Sequence, residues 1–165
     1  LSARSAALPP DEARPLARLQ LELIAATLET LPASAVAERL RRERCRIDAL
    51  LVSDRVDEGV ERMQLLLNEF PNDGRLQRWG AARLGASGAA HRSAALESWR
   101  KVAARSAPQT DGWFEARYWV ARLTAETGDR ERALQLLKYL QSIPPGWEEA
   151  PNREAFEQLL RQLER

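Results

Sequence analysis

Two arginines, Arg83 and Arg122, recur near two aromatic residues, Trp79 and Tyr118, in segments that nearly repeat each other 39 residues apart. The first reads Arg78-Trp79-Gly80-Ala81-Ala82-Arg83-Leu84 and the second Arg117-Tyr118-Trp119-Val120-Ala121-Arg122-Leu123. The chemistry on offer is anion recognition. A guanidinium fork holds a carboxylate through two parallel hydrogen bonds, and a neighbouring ring supplies apolar contact and a stacking face. An acidic or carboxylate-ended peptide would be the natural ligand. The competing expectation is that the rings pack between helices while the arginine stems cover that surface. Within each segment, Ala82/Ala121 and Leu84/Leu123 read as architectural, because close helix packing needs such residues, whereas packing does not require the arginines.

Other chemistries have little to stand on. Cys45 is the only cysteine and His91 the only histidine, so no intramolecular disulfide can form and no Cys/His zinc site can be assembled. Nothing beside His91 resembles a nucleophile elbow. Gly85-Ala86-Ser87-Gly88 lacks the lysine and the length of a phosphate-binding loop. The paired carboxylates Glu148 and Glu149 lie in a proline-flanked loop. Catalysis, a metal and a cofactor are therefore not expected. His91 should be a solvated loop or cap residue, and Cys45 should be buried as a small hydrophobe.

Charge narrows the partners. With 25 basic and 24 acidic residues the net charge is +1, so no global field draws in a polyanion. Arg39, Arg42 and Arg46 share one helical face, but Glu38, Glu43 and Asp48 lie among them, which favours a solvated face over a nucleic-acid stripe. No apolar run approaches the roughly 20 residues that span a bilayer. The expected partner is a protein or peptide, without nucleic acid or membrane insertion, and self-association stays open.

The elements that must position these residues are helical throughout. The chain has 165 residues, 44% of them apolar, enough for one well-buried domain. Residues 1–10 end in two prolines and read as an extended lead-in, and a helix follows over about 11–32 with the stripe Leu16, Leu19, Leu23, Ile24, Thr27, Leu28 and Leu31. A second helix runs from about Ser34 to Val52, with Val36, Leu40, Ile47, Leu50 and Leu51 apolar. A third begins at Asp54 and lines Val60, Met63, Leu66, Leu67 and Phe70 before Pro71. The two recurring segments occupy helices near 73–86 and 112–127. Each is followed by a partner helix, one carrying Leu96, Trp99, Val102 and Ala103, the other (129–143) Ala133, Leu136, Leu137, Leu140 and Ile143. A last helix after Pro151 holds Phe156, Leu159, Leu160 and Leu163. Trp113 and Trp147 each follow a glycine and should plug the junctions between hairpins.

Pro71, Pro108 and Pro145 are spaced by 37 residues, each just past a helix it cannot continue. A small residue precedes each by about twelve positions (Gly59, Ala95, Ala133), and Gly128-Asp129 offers a sharp reversal. This arrangement resembles the tetratricopeptide repeat, most clearly at Tyr118, Ala121, Gly128, Asp129, Ala133, Leu137, Leu140 and Pro145. A second unit is carried by Trp79, Ala82, Ala95, Trp99, Val102 and Pro108, with an insertion around 89–93, and a weaker third by Leu50, Gly59, Val60, Leu66 and Pro71.

The resemblance implies an all-α fold of about eight helices, wound as a right-handed superhelix of antiparallel hairpins. The hairpins would span 34–71, 73–108 and 111–145, between a capping helix at 11–32 and another at 151–165. It also implies a non-enzymatic scaffold for protein interaction, with Trp79, Arg83, Tyr118 and Arg122 lining a concave groove. The alternative is a structural helical domain of a larger protein, which docks on a neighbouring domain or self-associates without a free ligand.

Overall fold

The computed structural model describes residues 10–32, 34–53, 55–143, 146–148 and 150–165. Among these residues the regular structure is helical, as expected: α1 (Pro10–Glu29), α2 (Val36–Val52), α3 (Val56–Glu69), α4 (Gly74–Ala86), α5 (Arg92–Arg105), α6 (Asp111–Glu126), α7 (Arg130–Ser142) and α8 (Arg153–Leu163). The lead-in expected over residues 1–10 loses Pro10 to the start of α1, and its residues 1–9, the helix start at Asp54 and the proline at 145 lie outside the described residues. By internal packing the chain divides after Glu69 into two compact units.

In the first unit α1 packs on α2, and α2 on α3. The α2–α3 contact depends on a missing side chain. A Cβ on Gly59 would come within 3.1 Å of Leu50 Cβ and 3.0 Å of Leu51 Cδ2, so the glycine lets the two backbones close. The face of α1 differs from the sequence reading. Leu16, Leu19 and Leu23 are exposed, at 49%, 64% and 67%, while Ala17 and Leu21 are buried against Ala49 and Leu50. α1 carries two apolar rows, and the row with Ala17 and Leu21 is the one that packs on Ala49 and Leu50. Val36 is likewise exposed, and so is Cys45, which lies across α2 from the buried Ile47 and Leu50.

In the second unit α4 packs on α5, α5 on α6, α6 on α7 and α7 on α8, with α8 also touching α6. The helix starts are capped from within the sequence. Asp73 accepts from the Arg75 and Leu76 amides at 3.0 Å, Thr110 from the Trp113 amide at 3.3 Å, and Asp129 from the Arg132 amide at 3.1 Å. Gly128 (φ 102°) ends α6. Its amide donates to the Ala125 carbonyl and the Asp129 amide to the Thr124 carbonyl, each at 3.1 Å. That pattern is a Schellman motif, and a β-carbon would be strained in that backbone conformation.

The expected small positions Ala95 and Ala133 are fully buried, as are Trp99 and Leu137 on the same helices. Trp113 and Trp147 are buried too; Trp147 stacks on Phe156 with ring centroids 5.0 Å apart. The insertion between α4 and α5 is a single 3-10 turn, Ala89–His91, in which the half-buried His91 caps nothing with its side chain.

Burial also resets the register of the two recurring segments. Ala81 and Ala121 are both fully buried, Leu84 and Thr124 are both buried, and Gly88 and Gly128 both take positive φ. Each pair is 40 residues apart, and Trp79 then corresponds to Trp119. Ala82, read as architectural at a spacing of 39, is exposed, while Ala121 is buried. The recurrence of letters is one residue out of step with the recurrence of structure. A pair of substitutions checks this: Ala121→Leu should cost about 1–3 kcal/mol by overpacking, while Ala82→Leu should change urea-unfolding stability by less than about 0.5 kcal/mol.

Candidate functional site

Tyr118 and Arg122 are one helical turn apart on α6 and line the same cavity of about 410 Å³ between α6, the start of α7 and α8. One aromatic ring, Tyr118, lines it, backed by others. Tyr118 meets Phe156 of α8 edge-on (centroids 5.4 Å apart) and Trp119 edge-on at 5.5 Å. Trp119 in turn lies nearly parallel to the fully buried Trp99 of α5, with centroids 6.0 Å apart. The packing reading of Tyr118 and the groove reading therefore describe two sides of one half-buried ring.

Arg122 is held from two directions. Its Cζ sits 5.0 Å from the Trp119 ring centroid, and its Nε donates to Glu126 Oε1 at 2.8 Å. The Glu126 hydrogen bond is the main reason the Arg122 pKa is raised above its usual value; partial burial works against it. The pair stays substantially solvated, at 43% and 29% side-chain exposure, so it orders the guanidinium more than it stabilises the fold. Glu126 is also paired with Arg92 at 3.2 Å. Arg130, on the cavity wall, donates from Nη2 to the Gln162 carbonyl at 2.9 Å near the end of α8. Two guanidinium groups thus share one carboxylate, and a third lines the same cavity. Chemically, the cavity offers positive charge, the side-chain amides of Gln158 and Gln162, and an apolar wall at Ala155 and Leu159.

Trp79 and Arg83 occupy α4. Trp79 is half-buried and Arg83 exposed, with its carbonyl accepting from Ser87 Oγ at 2.7 Å. Neither lines the α6–α8 cavity. The structure places Tyr118 and Arg122 on one cavity, and Trp79 and Arg83 outside its lining. In the register set by burial, the α4 counterpart of Arg122 is Ala82 and that of Tyr118 is Arg78.

Sequence reasoning missed Glu126, Arg92, Arg130 and the contribution of α8. One signal was available, since Glu126 lies four residues after Arg122 on the same helix, the spacing of an intrahelical ion pair. In the arginine run on α2, Arg41 and Arg42 pair with Glu38 at 3.4 and 2.8 Å, while Glu43 is taken by Arg62 of α3 at 3.1 Å. Among the described residues, no group of three or more His, Cys, Asp or Glu side chains is placed to hold a metal, and no helix is long and apolar enough to cross a membrane.

Helical hairpins stacked through small residues, with a charged and aromatic hollow between successive first helices, define a tetratricopeptide-like repeat fold. Solved structures bear this out. The chain is similar to a kinesin light chain of Podosopora anserina with nearly identical TPR-like repeats, at a TM-score of 0.67 and 19% identity over 89% of this chain and 75% of that one. A singly substituted form of that protein matches at the same TM-score and identity, over 74% of its length. No protein-family model and no curated protein matches the sequence.

Proposed function

We propose that this protein is a non-enzymatic scaffold for protein interaction, and that it takes an acidic or carboxylate-ended peptide segment along α4 and α6. Trp79 and Arg83 would serve on α4, Tyr118 and Arg122 on α6. The observation that carries the reading is the hollow between α6 and α8, where Arg122 is pinned over Trp119 by Glu126 beside Tyr118. Its Nε is engaged, and an arginine has four further N–H donors on its terminal nitrogens. A side chain already ordered loses little entropy when it binds. Support on α4 is weaker, because Arg83 sits one residue away from the position equivalent to Arg122.

The test is retention of a random heptapeptide pool on the immobilised chain, with free and with amidated C-termini. Hydrogen bonds to a charged group contribute about 1.5–3 kcal/mol, so Arg122→Ala should weaken retention of the free-acid pool by roughly 10- to 100-fold. Arg83→Ala should add a smaller loss. Equal retention by wild type and the Arg83→Ala/Arg122→Ala double variant would defeat the proposal. A second reading, docking on a neighbouring domain or self-association, is favoured by the exposed row Leu16, Leu19 and Leu23 on α1. It would appear as a concentration-dependent mass in sedimentation.

A further inference from the structure

One side of α1 is both apolar and exposed. Leu16, Leu19, Leu23 and Ala26 follow one another at intervals of three and four residues, so they form a single row along the helix. Scattered exposed leucines are ordinary on a protein surface, whereas a continuous row marks a face that meets something. The row takes no part in the contact with α2, which Ala17 and Leu21 make from a different side of α1.

The residues beside the row decide what can lie on it. Along one edge run Arg18 and Glu22, one turn apart and both exposed, beside Arg55, which donates from Nε to Glu58 at 2.7 Å. Along the other edge stand Gln20 and Thr27, both uncharged. A two-fold rotation that lays α1 antiparallel on a second α1 keeps each edge on its own side, so like edges meet. With the axis at Gln20, Arg18 stands level with Glu22 of the second copy, because each is two residues from the axis. The rotation makes that pair twice. In the same register Leu19 falls between Leu19 and Leu23 of the second copy, and Leu23 falls between its Leu16 and Leu19. Arg14 stands level with Ala26 of the second copy rather than with another arginine. A parallel arrangement would set the charged edge against the uncharged one and form neither ion pair.

We infer that this face binds a second copy of the chain, as an antiparallel two-fold pair of α1 helices with Leu19 close to the axis. The inference rests on the self-association reading of α1 and gives it an orientation; the α6–α8 cavity plays no part in it. The leucines supply the attraction. The ion pairs set the direction, since exposed pairs add little to affinity. Three leucines and an alanine a side fall well short of the roughly 20–30 residues of a standard interface, so the dimer is weak and reversible.

Sedimentation equilibrium on the full chain over a concentration series tests the inference. The mass should rise with concentration to that of two chains and stop there, because a two-fold contact closes on itself. Leu19→Glu should abolish the rise while leaving helicity unchanged, since Leu19 is 64% exposed. Arg18→Glu alone and Glu22→Arg alone should each weaken association by about tenfold, because each sets like charges level. An equimolar mixture of those two variants should recover the dimer, since it restores opposite charges between copies while leaving like charges within each helix. No recovery in the mixture would overturn the antiparallel register. Undiminished association of Leu19→Glu would move self-association to another face, overturning this inference while leaving that reading standing. A wild-type chain that stays monomeric at every concentration would overturn both.

Discussion

Trp99→Ala should lower the stability of the second unit by about 3–5 kcal/mol, the usual cost of emptying a large aromatic site in a core. Trp99 is fully buried, lies against Trp119, and sits on the helix that packs between α4 and α6. Its removal opens a cavity at the centre of the hairpin stack rather than at an edge. The indole Nε1 is buried without a hydrogen-bond partner, so Trp99→Phe deletes an unsatisfied donor together with part of the ring. That variant should cost less than half as much as alanine. Urea unfolding followed by far-UV circular dichroism reads both numbers. Similar losses for the two variants would mean that the indole nitrogen is satisfied in solution and that the stacking is looser than described.

The second large effect is local. Phe156 is fully buried, stacks on Trp147 at 5.0 Å and meets Tyr118 edge-on at 5.4 Å, so one ring joins α8 both to the loop before it and to α6. Phe156→Ala should likewise cost about 3–5 kcal/mol at that place. Among the described residues α8 packs on α7, on α6 and, through Trp147, on the loop before it, so the expected outcome is its release rather than global unfolding. Hydrogen exchange should show α8 amides losing protection while those of α5 and α6 keep theirs. The same variant should abolish free-acid peptide retention, because α8 supplies one wall of the cavity. Protection lost uniformly through α4 to α8 would show that the second unit unfolds as a single block.

The parts of this molecule that could be read in sequence are those where a single residue type has one physical use. Gly128 announces a helix end because few other residues accept its backbone, and Ala133 and Ala95 are small residues that the structure buries completely. Helix number followed from apolar periodicity for the same reason. What sequence left ambiguous was any choice between near-equal options. On α1 two apolar rows were available, and periodicity alone does not say that the row with Ala17 and Leu21 is the one buried against Ala49 and Leu50. Cys45 could face either way on α2, and the position of Ile47 and Leu50 turns it outward.

The candidate site shows the same division. Arg122 and Tyr118 stood out through the recurrence of the two segments, and the structure places them on one cavity. Arg83 stood out through a likeness of letters that burial shifts by one residue. The remaining cavity groups, Arg130 and Gln162, are 32 residues apart and meet only because α7 and α8 fold back beside α6. No local pattern encodes that meeting.

The central claim is that the hollow between α6 and α8 receives a peptide carboxylate. Its most direct test is chemical-shift mapping on the isotopically labelled chain, using the most strongly retained free-acid heptapeptide and its C-terminal amide. The account predicts shifts concentrated at Tyr118, Arg122, Gln158 and Gln162 for the free acid, and little response to the amide. Shifts confined to other surfaces, or an equal response to acid and amide, would contradict it.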